Sequence, residues 1–267
     1  MDLRWRIPAW AARSTPAMPT FTYNDTTISY LDEGAGDPVL LVHGFASNKE
    51  MNWIFPGWIG PLKEAGYRVI ALDNRGHGAS SKYYETERYH IPEMAKDVIA
   101  LLDHLKIGKA DFVGYSMGAR ISAYVAAHYP SRVRSATLGG MGINLTQAVS
   151  SGDSVAKAFE APSAKDVTDL VGQAFRKFAE QTKSDLKALA ALSYSHQRIV
   201  PREDAARIRV PVLIVVGTKD DIAGSGEELA ELIPGSKFVS LPDRDHMRTV
   251  GDMKFKQAVI DFLRERP

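Results

Sequence analysis

The sequence predicts an α/β fold: a mostly parallel central sheet with helices on both faces, interrupted by a small helical insertion. Three observations predict it. Short apolar runs of strand length alternate with stretches of helical period, the pattern of a parallel sheet buried on both sides. From Ile143 to about Ala206 the strand-like runs stop and only helical spacing remains. A Gly-x-Ser-x-Gly pentapeptide, Gly114-Tyr115-Ser116-Met117-Gly118, lies between an apolar run and a helix-like stretch, as a tight strand-to-helix turn requires.

The elements follow in order. Phe21 to Asp32 alternates apolar and polar residues around Asn24-Asp25 and reads as a hairpin. Gly34-Ala35-Gly36-Asp37 is a turn, and Val39-Leu40-Leu41-Val42 a short buried strand. Trp53 to Ala65 is expected to be helical, with a start made irregular by Pro56, Gly57 and Pro61. Tyr67 to Leu72 is the next strand. Pro92 suits the first turn of a helix to Leu105, whose Met94, Val98, Leu101, Leu102 and Leu105 share one face. The strand Ala110 to Val113, a helix from Ala119 to His128 and a strand from Val133 to Leu138 come next. In the insertion, Val167, Leu170, Val171, Ala174, Phe175 and Phe178 recur at helical spacing, as do Leu186, Leu189, Ala190 and Leu192. The sheet resumes with a strand at Val210–Val216, then a helix (Glu227 to Ile233), a strand (Phe238 to Leu241) and a final helix (Phe255 to Arg264). One domain is expected from residue 21 to 267, with the insertion at about 143–206. Residues 1–20 read as a loosely packed leader, or as sequence preceding a true start at Met18, with Trp5 and Trp10 able to fold back onto the body.

A net charge of +1 with no basic run argues against nucleic acid or an acidic membrane as partner. No apolar stretch approaches the ~20 residues that span a bilayer. The chain has no cysteine, which excludes disulfides, a thiol nucleophile and thiolate metal sites. It fits a reducing compartment, and a cytoplasmic protein is expected. No histidine pair has metal-ligand spacing, and no cofactor is expected. Nothing in the residues fixes an oligomeric state.

The candidate chemistry collects where chain follows strand, the side of an open α/β sheet on which ligands bind. A serine at the centre of the pentapeptide projects its hydroxyl from a strained turn, beside the free N–H groups of a helix start. A serine hydroxyl needs a base to take its proton and an acid to orient that base. Of seven histidines, His246 follows the last strand and overhangs the strand ends. His43 is expected to shape the Val42-His43-Gly44-Phe45 turn and His77 to be structural, while His90, His104, His128 and His196 read as solvated. Gly217-Thr218-Lys219-Asp220-Asp221 follows the most apolar strand and offers two acids. Asp220 is favoured, with Asp221 as the alternative. The backbone N–H groups of Met117 and Phe45 are the expected oxyanion donors.

These pieces together resemble the α/β-hydrolase superfamily from about Phe21 to the C-terminus. The matching segments are His43-Gly44-Phe45, Asp73-Asn74-Arg75-Gly76-His77-Gly78, Gly114–Gly118, Gly217–Asp220 and His246, in the order serine, aspartate, histidine. Within the superfamily the chain is similar to small single-domain esterases, enol-lactonases and cofactor-free haloperoxidase-like enzymes. The resemblance implies that the Asp73–Gly78 loop is architectural. Two departures stand out. Asp245 precedes His246 where many relatives have glycine, and the insertion is short beside the caps of some lipases. Serine at the elbow argues against haloalkane dehalogenases and epoxide hydrolases, whose nucleophile there is aspartate.

The expected function is hydrolysis of small-molecule carboxylic esters through an acyl-enzyme. Lactone, C–C bond or perhydrolase chemistry at the same residues is an alternative. A small-ligand receptor of the same fold is an alternative of another class. Tyr115, Phe159, Phe175 and Phe178 are candidate pocket residues, each equally suited to packing.

Overall fold

The computed structural model describes residues 18–148, 152–195 and 199–266. The segment carrying Trp5 and Trp10 lies outside these residues, as does His196. Eight strands form one sheet in the order β1-β2-β4-β3-β5-β6-β7-β8. They are β1 (Thr20–Tyr23), β2 (Thr26–Glu33), β3 (Asp37–Val42), β4 (Tyr67–Leu72), β5 (Ala110–Tyr115), β6 (Val133–Gly139), β7 (Val212–Gly217) and β8 (Lys237–Leu241). From β4 to β8 along the sheet every neighbouring pair is parallel, and only β2 runs against the rest, antiparallel to both β1 and β4.

The parallel strands are apolar throughout because both faces are covered. In β3, Leu40 and Val42 enter the core on one side, while Val39 and Leu41 enter the core on the other. The first core is closed by α2 (Ile91–His104) and α3 (Met117–His128). The second is closed by α1 (Ile59–Glu64) and the last helix, Met253–Glu265, through Trp58, Leu62, Phe255 and Val259.

The helix expected over Trp53–Ala65 is broken in two. A single π-helical turn spans Glu50–Ile54, and α1 begins only at Ile59. Proline at position 56 cannot extend the first piece, and Gly57 turns the chain at φ 75°. The break lets Trp53 and Trp58 meet edge to face at 5.3 Å inside the core. The β7 strand starts two residues later than the apolar run implies, because Pro211 lacks the N–H a ladder needs.

Among the described residues the insertion holds no strand. It contains α4 (Gly152–Glu160), α5 (Leu170–Gln181), α6 (Leu186–Ser193) and α7 (Arg202–Arg207). The apolar stripe on α5 is split: Phe175 and Phe178 pack against the small cluster around Ala46 and Phe159, while Leu170 and Val171 stay outside it. The buried positions of the helix are Gly172, Arg176 and Ala179. Leu170 is 80% exposed and Val171 45%, and with Phe175 and Phe178 they border a cavity. Arg176 is buried because it donates to the carbonyls of Ala158 and Ala161 at 2.8 and 2.9 Å, satisfying the end of α4.

The chain goes from β3 outward to β4, then returns to place β5 on the other side of β3. That reversal opens a crevice beyond the carboxyl ends of β3 and β5. Closing it demands very short contacts. A Cβ on Gly118 would lie 1.9 Å from the Val42 carbonyl oxygen, and one on Gly114 would lie 2.3 Å from the Gly118 oxygen.

Gly118→Ala is therefore expected to destabilise the fold by about 3 kcal/mol or more, since the clashing atoms are backbone. Gly108, in the loop before β5 and outside the left-handed region, has open space where a Cβ would stand and offers the contrast: Gly108→Ala is expected to stabilise by roughly 0.5 kcal/mol. Urea denaturation of both variants checks the pair.

Candidate active site

The β3/β5 register pairs Val42 with Gly114. Two residues further along, it sets Gly44 beside Ser116. A Cβ on Gly44 would stand 3.4 Å from Ser116 Cβ, so the loop after β3 lies against the nucleophile candidate. Ser116 itself has φ 52° and ψ −112°, a strained conformation for a residue with a side chain. Its N–H donates to the Gly139 carbonyl on β6 at 2.8 Å, which holds the turn in place. Met117 opens α3, so its N–H has no acceptor within the helix.

The loop after β8 brings His246 over these residues. Nε2 of His246 lies 3.0 Å from Ser116 Oγ. Nδ1 lies 2.8 and 3.0 Å from the two carboxylate oxygens of Asp220. Asp220 follows β7, and its side chain is fully buried. The carboxylate also accepts the N–H groups of Ile222 and Ala223 at 3.0 and 2.9 Å. Burial pushes the Asp220 pKa up, but the His246 hydrogen bond and charge and the two backbone donors outweigh it and hold it below the usual carboxylate range. Asp221 is exposed at the cavity edge and does not reach the imidazole ring.

His246 begins a one-turn helix (His246–Thr249) that the strand and helix periods of the sequence do not announce. Asp245, the departure from glycine, caps it: its carboxylate accepts the Arg248 N–H at 2.8 Å. The Tyr115 hydroxyl donates to the His246 carbonyl. Tyr115 thus lines the cavity while its polar end holds the histidine loop.

Two more histidines fix the loop after β3. His43 is wholly buried; its Nε2 accepts the Asn74 N–H at 2.9 Å, and its Nδ1–H donates to Gly44 O at 2.7 Å. His77 accepts the Ala46 N–H at 3.1 Å through Nε2 and donates to Arg75 O at 3.0 Å. Ala46 sits at φ 57°. Burial pushes His43 down to about 4 and His77 to about 3. Each ring is neutral because a proton on Nε2 would oppose a backbone N–H. Alongside them Lys49 Nζ pairs with Asp73 at 2.7 Å, both buried. The Asp73–Gly78 loop is thereby a platform for the loop carrying Phe45. His104 and His128 are exposed, as read from the sequence, whereas His90 is half-buried.

A cavity of about 1320 Å³ opens above Ser116. Phe45, Tyr115, Met117, Phe175 and Phe178 line it, but Phe159 does not. Phe159 packs behind Phe45, with ring centroids 5.9 Å apart, in a small cluster that joins the insertion to the loop. Five of the eight methionines, Met51, Met117, Met141, Met247 and Met253, also line the cavity. They come from separate segments, so no sequence pattern announces them. Their flexible side chains suit an adaptable apolar surface. Arg120, one turn into α3, borders the cavity and donates to Leu145 O at 2.9 Å and Asn144 O at 2.5 Å. Burial pushes its pKa down to about 10. Among the described residues no cluster of three or more histidines and acids could hold a metal ion, and no helix is long and apolar enough to cross a membrane.

A family model for the alpha/beta hydrolase fold matches residues 37–203. That is more than half of the chain, and the chain belongs to this family. It is 32% identical over 247 residues to the dihydrolipoyllysine-residue acetyltransferase component of the acetoin cleaving system of Pseudomonas putida, across 86% of this chain and 64% of that protein. The chain thus spans less than two thirds of that relative's length. It is 28% identical over 286 aligned residues to the non-heme chloroperoxidase CPO-A1 of Kitasatospora aureofaciens, across 92% of this chain and 99% of that protein. The solved structure of the enol-lactonase from Burkholderia xenovorans LB400 superposes with a TM-score of 0.78 at 24% identity, covering 92% of this chain and 100% of that one. The last likeness is one of fold.

The neutral histidines carry a pH consequence. In the unfolded chain both take up protons below about 6.5. The folded protein refuses them until about 4 and about 3. Stability is therefore expected to fall as pH drops from about 6.5 toward 4, by roughly 1.4 kcal/mol per pH unit for each histidine. Urea unfolding at pH 7, 6, 5 and 4.5 measures it, and a flat profile would contradict the assignment.

Proposed function

We propose that the chain is a serine hydrolase that cleaves carboxylic esters of small molecules. The observation that carries this reading is the line Ser116 Oγ, His246 and Asp220, with contacts of 3.0 Å and 2.8 Å. Ser116 attacks the ester carbonyl while His246 Nε2 takes its proton. Asp220 keeps the other ring proton on Nδ1 and stabilises the imidazolium. The N–H groups of Met117 and Phe45 receive the oxyanion, and being fixed beforehand they reorganise little as charge develops. His246 then protonates the alcohol, and a water activated by the same base releases the acid.

The cavity supports a substrate with a sizeable apolar part. Its methionines and the Phe175 and Phe178 rings offer apolar contact, while Arg120, Asn144 and Ser193 supply a few polar groups. Lactone opening uses the same steps with the leaving alcohol still tethered. The similarity to a protein named as a chloroperoxidase across nearly its whole length favours testing perhydrolysis as the second activity. Contact between base and hydroxyl within hydrogen-bond reach supports turnover over a purely receptor role.

Ser116→Ala is expected to lower p-nitrophenyl butyrate hydrolysis by about 10⁴-fold or more with the fold retained. Asp220→Asn is expected to cost about 10³–10⁴-fold and Asp221→Asn less than about threefold. A larger loss in Asp221→Asn than in Asp220→Asn would move the acid by one residue. Intact-mass analysis after treatment with an alkyl fluorophosphonate is expected to show one adduct, absent in Ser116→Ala.

A further inference from the structure

Tyr115 ends β5 immediately before Ser116, and its side chain reaches across to the loop after β8. The ring is buried and lies against Gly139 and Gly140, where β6 ends. A Cβ on Gly139 would stand 3.0 Å from Tyr115 Cδ2, and one on Gly140 would stand 2.7 Å from Tyr115 Cζ. The ring thus fills the room that the two glycines leave. Burial pushes the Tyr115 hydroxyl pKa well above its ordinary value, so the group stays a donor. It donates to the His246 carbonyl. The histidine loop has a second tie: Trp58 Nε1–H donates to the Val250 carbonyl at 2.7 Å.

Two residues joined by one peptide bond therefore hold the same histidine. Ser116 Oγ meets its ring at Nε2, 3.0 Å away, and the Tyr115 hydroxyl meets its backbone. The Ser116 N–H is fixed in turn to Gly139 O at 2.8 Å, on the strand end that seats the tyrosine ring. The contacts close a circuit from serine through tyrosine to histidine and back. A bond to the imidazole alone leaves the loop free to swing about that bond, and a second attachment at the histidine backbone removes this freedom. The Trp58 tie differs, since it fastens the loop to the N-cap of α1 rather than to the serine turn.

We propose that Tyr115 is a positioning residue whose hydroxyl sets the spacing between nucleophile and base, and so governs the rate of bond breaking rather than the binding of substrate. The proposal rests on Ser116 being the nucleophile. Without the hydroxyl, His246 drifts from the line joining Ser116 Oγ and Asp220, and a misplacement of about 1 Å can cost ~100-fold in rate. The Asp220 contact loosens with it, because one imidazole makes both bonds.

Tyr115→Phe removes the hydroxyl and keeps the ring, while Tyr115→Met removes both and still fills space. Either variant, if folded, is enough to read the result. On p-nitrophenyl butyrate, kcat is expected to fall about tenfold or more with KM within about twofold of wild type. The low-field proton resonance of His246 Nδ1–H, the proton shared with Asp220, is expected to broaden or vanish in the same variant. Trp58→Phe removes the tie at Val250 and controls for plain loosening of the loop. Assayed where both proteins are fully folded, it is expected to keep kcat within about threefold of wild type. A kcat within about threefold in the tyrosine variant, a loss confined to KM, or an equal loss of kcat in Trp58→Phe would overturn the proposal. If wild type hydrolyses no ester, the nucleophile reading fails by itself and the resonance decides alone. Its loss in the tyrosine variant with retention in Trp58→Phe upholds the positioning role, and its persistence in the tyrosine variant overturns it.

Discussion

The structure depends on the contact between the first turn of α3 and the end of β3. With Gly118 against the Val42 carbonyl, there is no space for even a methyl group between helix and strand. That closeness forces Ser116 into its left-handed backbone angle. It also brings the two strand ends level, so that the loop after β3 and the turn after β5 share one small volume. Sheet pairing, helix position and the serine's exposure are set by the same few atoms.

A second layer of constraint keeps the loop after β3 from relaxing. Its backbone is tied to the Asp73–Gly78 loop by His43, His77, Asn74 and Lys49. The two imidazoles act as uncharged acceptors for backbone donors that would otherwise be buried and unmet. This arrangement tolerates Ala46 at a positive φ, because several hydrogen bonds hold one strained residue. The histidine that reaches Ser116 is different: its two nitrogens point to side chains.

Much of this was legible in the residues. Apolar runs of strand length placed the parallel strands because those strands are buried on both faces, and the Gly-x-Ser-x-Gly spacing placed the turn because its geometry admits little else. Ser116, His246 and Asp220 could be picked out since each follows a strand, and a parallel sheet gathers such loops at one end. Other features were hidden for physical reasons. The stripe on α5 had the period of a packing face, but periodicity does not tell a core from a cavity wall. Phe159 had the same chemistry as Phe175 and Phe178; only the packing of α4 puts it behind Phe45. The Trp53–Ala65 break came from one proline and one glycine whose effect on a helix start has several outcomes.

The Phe45 ring is gripped by the insertion, with Phe159 and Phe175 centroids at 5.9 and 5.4 Å, and Thr182 Oγ donates to the neighbouring Ala46 carbonyl at 3.2 Å. On the proposed mechanism, that same residue's amide faces the developing negative charge. A bulky guest that pushes α5 outward thereby drags on the amide as well as on the wall. Fit in the apolar chamber and speed of bond breaking become one mechanical quantity, so poorly fitting guests would bind acceptably yet turn over slowly.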